Sequence, residues 1–277
     1  MQKPLSETQF VQYYRQILLP EVAESGQQKL LQSHVLIIGV GGLGTHVAQQ
    51  LAAAGIGHIY LMDDDGIELS NLPRQILFGP NDIGQSKVSI AQRQLQQQSL
   101  NTEVNTYHKK FTSESIEQLL QQQSQLQQAL HHGQLVVLDC SDNMPTRQNI
   151  NQWCVTQQIP LFSAAISAFS GQLLLVDVKR SAPAGCYRCL YSEQTPAQNC
   201  QSMGVLGPAV GVMASMQALL TLNYLLNIGP VDKQLHIFDG LNLSWRQLQR
   251  RRDVQCPVCQ STTTSNSRST FHEELTL

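Results

Sequence analysis

The chain has 277 residues and a formal net charge of −2, with 42% hydrophobic and 14% charged residues. This composition is too apolar for a disordered chain, and seven cysteines are too few for a disulfide-stabilised scaffold. Nucleic-acid-binding proteins carry a basic excess, so the charge argues against nucleic acid as a partner. Residues 1–10 contain no apolar run of the secretory kind. We therefore expect a cytoplasmic protein whose cysteines bind metal or act as thiols.

The first half of the chain alternates predicted helices and strands. The first 30 residues are expected to be helical, with an apolar face formed by Phe10, Val11, Tyr14, Ile17 and Leu18. Continuous apolar runs at strand length lie at 34–39, 58–63 and 135–140, and helical segments lie at 44–54, 86–98 and 113–131. Such runs are typical of strands buried on both faces of a parallel sheet. The alternation predicts a Rossmann-like, doubly wound α/β fold.

After Pro160 the pattern changes to mixed strands. Strands are expected at 161–166, 172–178 and 234–238, with a turn at 170–171. We expect one domain over residues 1–260, with a nucleotide-binding half at about 30–160 and a second, zinc-containing half at about 161–260. A Ser/Thr-rich tail at 261–277 is expected to be disordered.

A long uncharged segment precedes the last predicted strand. No residue from 204 to 231 is charged, and 208–228 is long enough to span a bilayer. However, Gln217 and Asn223 lie inside the segment, and no basic cluster flanks it. We interpret it as a buried core helix rather than a membrane span.

A glycine-rich loop follows the first predicted strand. Residues 39–44 match G-x-G-x-x-G between a strand and a helix, and the glycines are Gly39, Gly41, Gly42 and Gly44. Glycine permits a close backbone approach to phosphate, and the helix N-terminus favours anions. Asp63 lies 19 residues after Gly44, where an acid holds a ribose hydroxyl. The loop predicts a nucleotide but does not distinguish NAD from ATP.

Two CxxC pairs predict a metal site. Cys186 and Cys189 form the first pair, and Cys256 and Cys259 form the second. Four thiolates complete a tetrahedral Zn²⁺ shell, so the zinc would be structural. The alternative is a thioredoxin-like redox pair, but neither CxxC begins a βαβ unit. Cys200 lies apart in a polar loop and is either a nucleophile or an idle loop cysteine.

A polar group is expected at the carboxyl edge of the sheet, where open α/β folds bind ligands. It comprises a basic pair, an acid and an amide, namely Arg74, Lys87, Asp142 and Asn143. Together they are suited to a triphosphate with Mg²⁺. Taken singly, each is equally consistent with a surface charge or a helix cap.

These segments together resemble the ThiF/MoeB/HesA family, the bacterial relatives of ubiquitin-activating enzymes. The matching stretches are YRQI (14–17), VLIIGVGGLG (35–44), LSNLPRQILF (69–78), LDCSDN (138–143), GCYRCL (185–190), residues 204–211 with 217–218, and CPVC (256–259). The resemblance extends from about residue 6 to residue 260. Within the family, the chain is most similar to the members that serve thiamine biosynthesis. The members that adenylate the molybdopterin synthase small subunit are the alternative.

The resemblance implies an activity and a set of partners. The activity is ATP-dependent adenylation of the C-terminal glycine carboxylate of a small ubiquitin-like sulfur carrier ending in Gly-Gly. The implied partners are that carrier, a persulfide donor such as a cysteine desulfurase, and a second copy of the chain in a homodimer. An NAD-dependent oxidoreductase and a non-catalytic, zinc-clipped scaffold remain as hypotheses from other classes.

The resemblance also implies roles for individual residues. In this family Asp63 would hold the ribose, Gly42 would contact the nucleotide, and Asp142 would ligate Mg²⁺. Arg15 would reach into the partner subunit's site, and Cys200 would attack the acyl-adenylate. The residues that would bind the phosphates are Asn71, Arg74, Gln75 and Lys87. Pro73 departs from the usual Gln, and it removes a backbone donor at that position.

Overall fold

The computed structural model describes residues 4–180, 184–191 and 204–260. Its strands are β1 (His34–Ile38), β2 (His58–Met62), β3 (Glu103–Tyr107), β4 (Leu135–Asp139), β5 (Leu161–Ser167), β6 (Ser170–Val176), β7 (Gln234–Asp239) and β8 (Ser244–Gln249). They form one sheet of eight strands in the order β3-β2-β1-β4-β5-β6-β7-β8. Strands β1 to β5 are parallel, and β6, β7 and β8 continue the sheet with antiparallel pairing.

Helices cover both faces of the sheet. They are α1 (Glu7–Ile17), α2 (Ala23–Leu31), α3 (Gly42–Ala54), α4 (Lys87–Gln98), α5 (Ser113–Gln122), α6 (Ser124–His131), α7 (Met144–Gln157), α8 (Tyr187–Leu190) and α9 (Gly207–Leu226). Successive strand residues point to opposite faces. Val35 and Ile37 therefore pack in one core with α3, α4 and α9, whereas Leu36 and Ile38 pack in a second core with α5, α6 and α7.

The strand order reverses between β1 and β4. The chain leaves β1 through α3 toward β2 on one side, whereas β4 lies on the other side of β1 and continues through α7 to β5. The connecting helices lie on opposite faces, so they diverge and leave a crevice at the carboxyl ends of β1 and β4. Ligands of doubly wound sheets bind at this switch point. The predicted Rossmann-like sheet with a mixed C-terminal extension is confirmed.

Helix α9 is the apolar segment that was interpreted as a core helix. It is long and apolar enough to cross a membrane by length and composition. One side packs against α3 and β5, where Met213, Ala214 and Gln217 are buried, while Val212 and Leu219 on the other side are exposed. It is therefore a partly buried core helix of the sheet.

Two local predictions were wrong, and strands β3 and β8 and helix α7 were not predicted. The helix expected at 113–131 is two helices, because Gln123 leaves the helical region at φ −116° and ψ 85°. The turn expected at 170–171 lies at Ala168–Phe169, and Ala168 adopts a left-handed φ of 51°. Strand β3 was missed because it is an edge strand in which Val104 is buried and Glu103 is exposed, so it lacks the continuous apolar run of its neighbours.

Candidate active site

The glycine-rich loop forms a tight turn from β1 into α3. Gly39 has φ +90°, and a Cβ there would lie 2.7 Å from the carbonyl oxygen of Cys140. A Cβ at Gly44 would overlap the carbonyl oxygen of Gly39. Glycine at both positions lets the loop lie against the end of β4 and exposes the N-terminus of α3, whose unpaired N–H groups attract phosphate.

Asp63 at the end of β2 is hydrogen-bonded to the loop. Its Oδ2 accepts the Val40 N–H at 2.6 Å, and its Oδ1 accepts the Asp65 N–H at 2.8 Å. Burial raises the pKa of Asp63, and the nearby Lys87 charge and these two N–H groups oppose that rise. The carboxylate is therefore fixed beside the glycine loop and keeps further lone pairs for hydroxyl donors.

A short turn brings Arg74 and Gln75 against the glycine loop. It follows a 3-10 helix at Leu69–Asn71, and the Asn71 carbonyl oxygen accepts the N–H groups of Arg74 and Gln75 at 3.1 and 3.0 Å. A Cβ on Gly42 would lie 3.6 Å from Arg74 Cγ, and one on Gly41 would lie 3.7 Å from Gln75 Nε2. The turn closes through residues 74 and 75, so the missing donor at Pro73 costs it no hydrogen bond.

Gln75 carries an unpaired polar atom. The residue is 3% exposed, and its Oε1 has no hydrogen-bond partner among the described residues. A buried amide oxygen of this kind costs free energy unless a ligand or water pairs with it. Its place beside the glycine loop is consistent with a polar ligand in the crevice.

Lys87 is held at the same edge of the sheet by an ion pair. Its Nζ lies 2.6 Å from Asp65 Oδ2, and its backbone N–H donates to the Asp65 carbonyl oxygen at 3.1 Å. The lysine side chain is 7% exposed and that of Asp65 is 64% exposed. The cation is thus pre-positioned, and its solvent-facing partner can be replaced by a phosphate.

Asp142 and Asn143 follow β4 on the other side of the crevice. Asp142 is exposed, and its Oδ1 accepts a hydrogen bond from Asn143 Nδ2 at 3.3 Å. Asn143 caps α7, because its Oδ1 accepts the Thr146 N–H at 3.0 Å. The carboxylate of Asp142 is a hard oxygen donor of the type that Mg²⁺ prefers, whereas the Asn143 oxygen is occupied by the cap.

Arg15 lies away from this group in its own chain. Helix α1 packs through Tyr13, whose ring would lie 2.8 Å from a Cβ on Gly55, and Asn101 Nδ2 donates to the Tyr13 hydroxyl at 3.3 Å. Gly55 and Asn101 precede β2 and β3, at the amino edge of the sheet, whereas the glycine loop is at the carboxyl edge. Cys200 lies outside the described residues.

The two CxxC pairs form one cluster of four cysteines. Cys186 Sγ lies 3.7 Å from Cys256 Sγ, and Cys189 Sγ lies 3.5 Å from Cys259 Sγ. All four sulfurs lie within 4.8 Å of one another. A tetrahedral site with Zn–S bonds of about 2.3 Å has sulfur–sulfur edges of about 3.8 Å, so the donor set and its spacing fit zinc. The cluster of four is not the arrangement of two separate redox pairs.

Helix α7 links this cluster to the Asp142 turn. Asn151 accepts the Tyr187 N–H at 2.9 Å through its Oδ1, and its Nδ2 lies 3.6 Å from Cys186 Sγ. Four residues nearer the start of α7, Arg147 pairs with Asp139 at 3.2 Å. Sequence reasoning missed Arg147, because a charged residue is usually solvent-exposed. Cys140 and Cys154 are buried, and burial raises the pKa of both thiols.

Comparison with known proteins agrees with this geometry. The ThiF family model matches residues 13–258. The chain belongs to the ThiF family. It is 43% identical over 256 residues to the "Sulfur carrier protein ThiS adenylyltransferase" of Escherichia coli, and the match covers 92% of this chain and 97% of that relative. It is 36% identical over 253 residues to the "Sulfur carrier protein adenylyltransferase" of Thermus thermophilus, with 89% of each chain covered.

Solved structures share the fold of this ThiF-family chain. The structure of Escherichia coli MccB with ATP has a TM-score of 0.71 at 22% identity, and the match covers 90% of this chain and 74% of that one. At this level of identity the similarity supports the fold alone. The recognised family, the switch-point crevice and the cysteine cluster therefore agree with the expectations from the sequence.

Proposed function

We propose that the protein is an ATP-dependent adenylyltransferase that activates the C-terminal glycine carboxylate of a ThiS-like sulfur carrier. The observation that supports this most strongly is the similarity to the ThiS adenylyltransferase of Escherichia coli over nearly the full length of both chains. An NAD-dependent oxidoreductase shares the glycine loop, but it has no use for Arg74 and the Lys87–Asp65 pair beside that loop.

In this proposal the crevice between the ends of β1 and β4 binds ATP. Asp63 accepts hydrogen bonds from the ribose hydroxyls. Its carboxylate is fixed beside the glycine loop because it accepts the N–H groups of Val40 and Asp65. The N–H groups at the start of α3 and the cations Arg74 and Lys87 bind the phosphates. Asn71 shapes the turn that carries Arg74, and Gln75 offers its unpaired Oε1 to a polar group of the nucleotide.

The chemical step is a substitution at phosphorus. A carboxylate oxygen of the carrier attacks the α-phosphorus of ATP, a new oxygen–phosphorus bond forms, and pyrophosphate leaves with the electron pair of the broken bond. The chain contributes by holding both reactants and by placing positive charge where negative charge develops. Asp142 would hold Mg²⁺, which would supply additional neutralisation of the phosphates. The Gly-Gly tail of the carrier has no side chains, so in an extended conformation it can reach the α-phosphate through a narrow channel.

Arg15 acts in trans across a homodimer in this proposal. Its helix packs at the amino edge of its own sheet, away from its own glycine loop. The outward face of α1 also has an exposed apolar surface, formed by Phe10, Val11, Tyr14 and Leu18. A second copy of the chain would cover that surface and bring Arg15 near the partner's nucleotide.

After adenylation, the mixed anhydride accepts sulfur. The outer sulfur of a persulfide on a partner such as a cysteine desulfurase attacks the carbonyl carbon, either directly with AMP leaving, or on a thioester that Cys200 has formed by displacing AMP, with the Cys200 thiolate leaving. A second thiol then cleaves the S–S bond of the resulting acyl disulfide, which leaves the thiocarboxylate on the carrier and a disulfide between the donor and that thiol. The four-cysteine cluster binds one structural Zn²⁺, since four thiolates leave no open coordination position for a substrate.

Pyrophosphate exchange tests the proposal. The protein is incubated with ATP, labelled pyrophosphate, Mg²⁺ and a ThiS-type carrier, and the intact mass of the carrier is followed in parallel. We expect label to enter ATP and the carrier to gain an adenylyl group. A carrier of the molybdopterin-synthase type is the matched comparison, and a stronger response to it would assign the alternative branch. A carrier lacking its last glycine is the negative control. Failure of exchange with both carriers would refute the proposed activity.

A further inference from the structure

A buried ion pair lies under the Asp142 turn. The side chains of Arg147 and Asp139 are 7% and 1% exposed, and Arg147 Nη1 lies 3.2 Å from Asp139 Oδ2. The same Nη1 donates to Ser163 Oγ at 3.2 Å and to the Ala164 carbonyl oxygen at 2.9 Å. Ser163 Oγ in turn donates to Asp139 Oδ2 at 2.7 Å. The pair therefore joins the end of β4, the start of α7 and strand β5.

Both polar groups of the Ser141 backbone belong to this network. Its N–H donates to Asp139 Oδ1 at 3.0 Å, and its Oγ donates to the same oxygen at 2.6 Å. Its carbonyl oxygen accepts a short hydrogen bond from Arg147 Nη2. The backbone of Ser141 is thus hydrogen-bonded to both members of the buried Arg147–Asp139 ion pair.

The residue after Asp142 is fixed as well. The Arg147 N–H donates to the Asn143 carbonyl oxygen at 3.2 Å, and the Asn143 side chain caps α7. Asp142 lies between these two fixed residues, and its exposed carboxylate accepts a 3.3 Å bond from its neighbour Asn143. The position of that carboxylate therefore depends on the backbone beneath it.

Burying two charges is costly, and an apolar pair of similar volume is often as stable or more stable. Stability alone is thus a weak reason for charges at this position. We propose that Arg147 is a positioning residue, which acts with Asp139 to hold the 141–143 turn so that Asp142 serves the nucleotide. This inference rests on the proposed function, because it needs Asp142 to act on the phosphates through Mg²⁺.

The test measures binding as well as turnover. Calorimetry gives the Kd of a non-hydrolysable ATP analogue with and without Mg²⁺. The Kd without Mg²⁺ divided by the Kd with Mg²⁺, called the Kd ratio, measures how much the metal strengthens binding of the nucleotide. Asp142→Asn should reduce this ratio from its wild-type value toward one. Arg147→Lys keeps the charge but loses the planar fork that bonds Asp139 and the Ser141 carbonyl oxygen. Since the coupling between two bound ligands is typically about 5- to 150-fold, we expect this variant to reduce the ratio by about fivefold or more.

A milder variant and a matched control complete the design. Ser141→Ala removes one hydrogen bond to Asp139 and leaves both charges, so we expect a loss of about twofold in the ratio. Tyr224→Phe removes a partly buried hydrogen bond of 2.7 Å to Asp177, at the amino edge of the sheet. It should lower the melting temperature and leave the Kd ratio at the wild-type value.

Several outcomes would overturn the inference. The first is a wild-type Kd ratio in both Arg147→Lys and Ser141→Ala when these variants are folded. The second is a loss of the Kd ratio in Tyr224→Phe that equals the loss in Arg147→Lys. The third is a wild-type Kd ratio in Asp142→Asn. If Arg147→Lys does not fold, Ser141→Ala alone decides. Pyrophosphate exchange by the wild-type protein is measured separately, so failure of the proposed function is distinguished from failure of the positioning role.

Discussion

Removal of zinc is expected to lower the free energy of unfolding of this protein. The size of the effect can be worked out from the length of the loop that the metal closes between the two CxxC pairs. Cys186 and Cys256 are 70 positions apart in sequence, as are Cys189 and Cys259. In the chain-entropy model, a cross-link that closes a loop of about 70 residues stabilises the folded state by about 4 kcal/mol. For a chain of this size, about 1 kcal/mol corresponds to about 2–4 °C in melting temperature. Cys256→Ser, which removes one ligand, should therefore lower the melting temperature by about 8–16 °C.

The assay combines metal analysis with thermal unfolding. Wild-type protein should contain one zinc per chain, and Cys256→Ser should contain substantially less. Cys200→Ser is the matched control, because Cys200 belongs to neither CxxC pair, and this change should leave zinc content and melting temperature unchanged. Wild-type protein that is folded and free of metal, or Cys256→Ser that melts within about 2 °C of wild type, would refute the reasoning.

Three further predictions concern the reaction. Asp142→Ala should lose pyrophosphate exchange while its circular dichroism and oligomeric state stay unchanged, and wild-type exchange in a folded variant would show that Asp142 is misassigned. Arg15→Ala mixed with Asp142→Ala should regain part of the activity that each lacks, since a mixed dimer holds one site free of both changes; absence of recovery after confirmed subunit exchange would contradict action in trans. Cys200→Ser should retain pyrophosphate exchange but form no thiol-sensitive adduct with the carrier, and normal thiocarboxylate formation by this variant would make the cysteine dispensable.

The central strands were predictable because each is buried on both faces. β1, β2 and β4 are continuous apolar runs, and the predicted bounds differ from the observed ones by one residue. Strand β3 and the break at Gln123 were not predictable in this way. An edge strand with a single buried residue has too few apolar residues to stand out, and the run of glutamines around 123 gives no local signal for a helix end.

Sequence spacing also predicted the parts of the site that are local in the chain. The glycine loop and the CxxC pairs are recognisable because the geometry of a turn or a metal shell requires those residues at those intervals. The partners of Lys87 and Arg147 were not predictable, because each pairing depends on how the sheet brings separate segments together. Asp65 is 22 residues from Lys87, and Ser163 is 16 residues from Arg147.

Helix α7 begins beside the switch-point crevice and passes the cysteine cluster about two turns later. Thr146 near its start is bonded to the Asn143 cap, and Asn151 contacts both Tyr187 and Cys186. A helix moves as a unit over so short a length, since the five-residue step from Thr146 to Asn151 spans only about 8 Å. Amide hydrogen exchange along α7 should therefore report on both ends at once. Loss of the metal at one end would speed exchange of the Thr146 amide at the other, because opening of the helix removes protection from its whole first half.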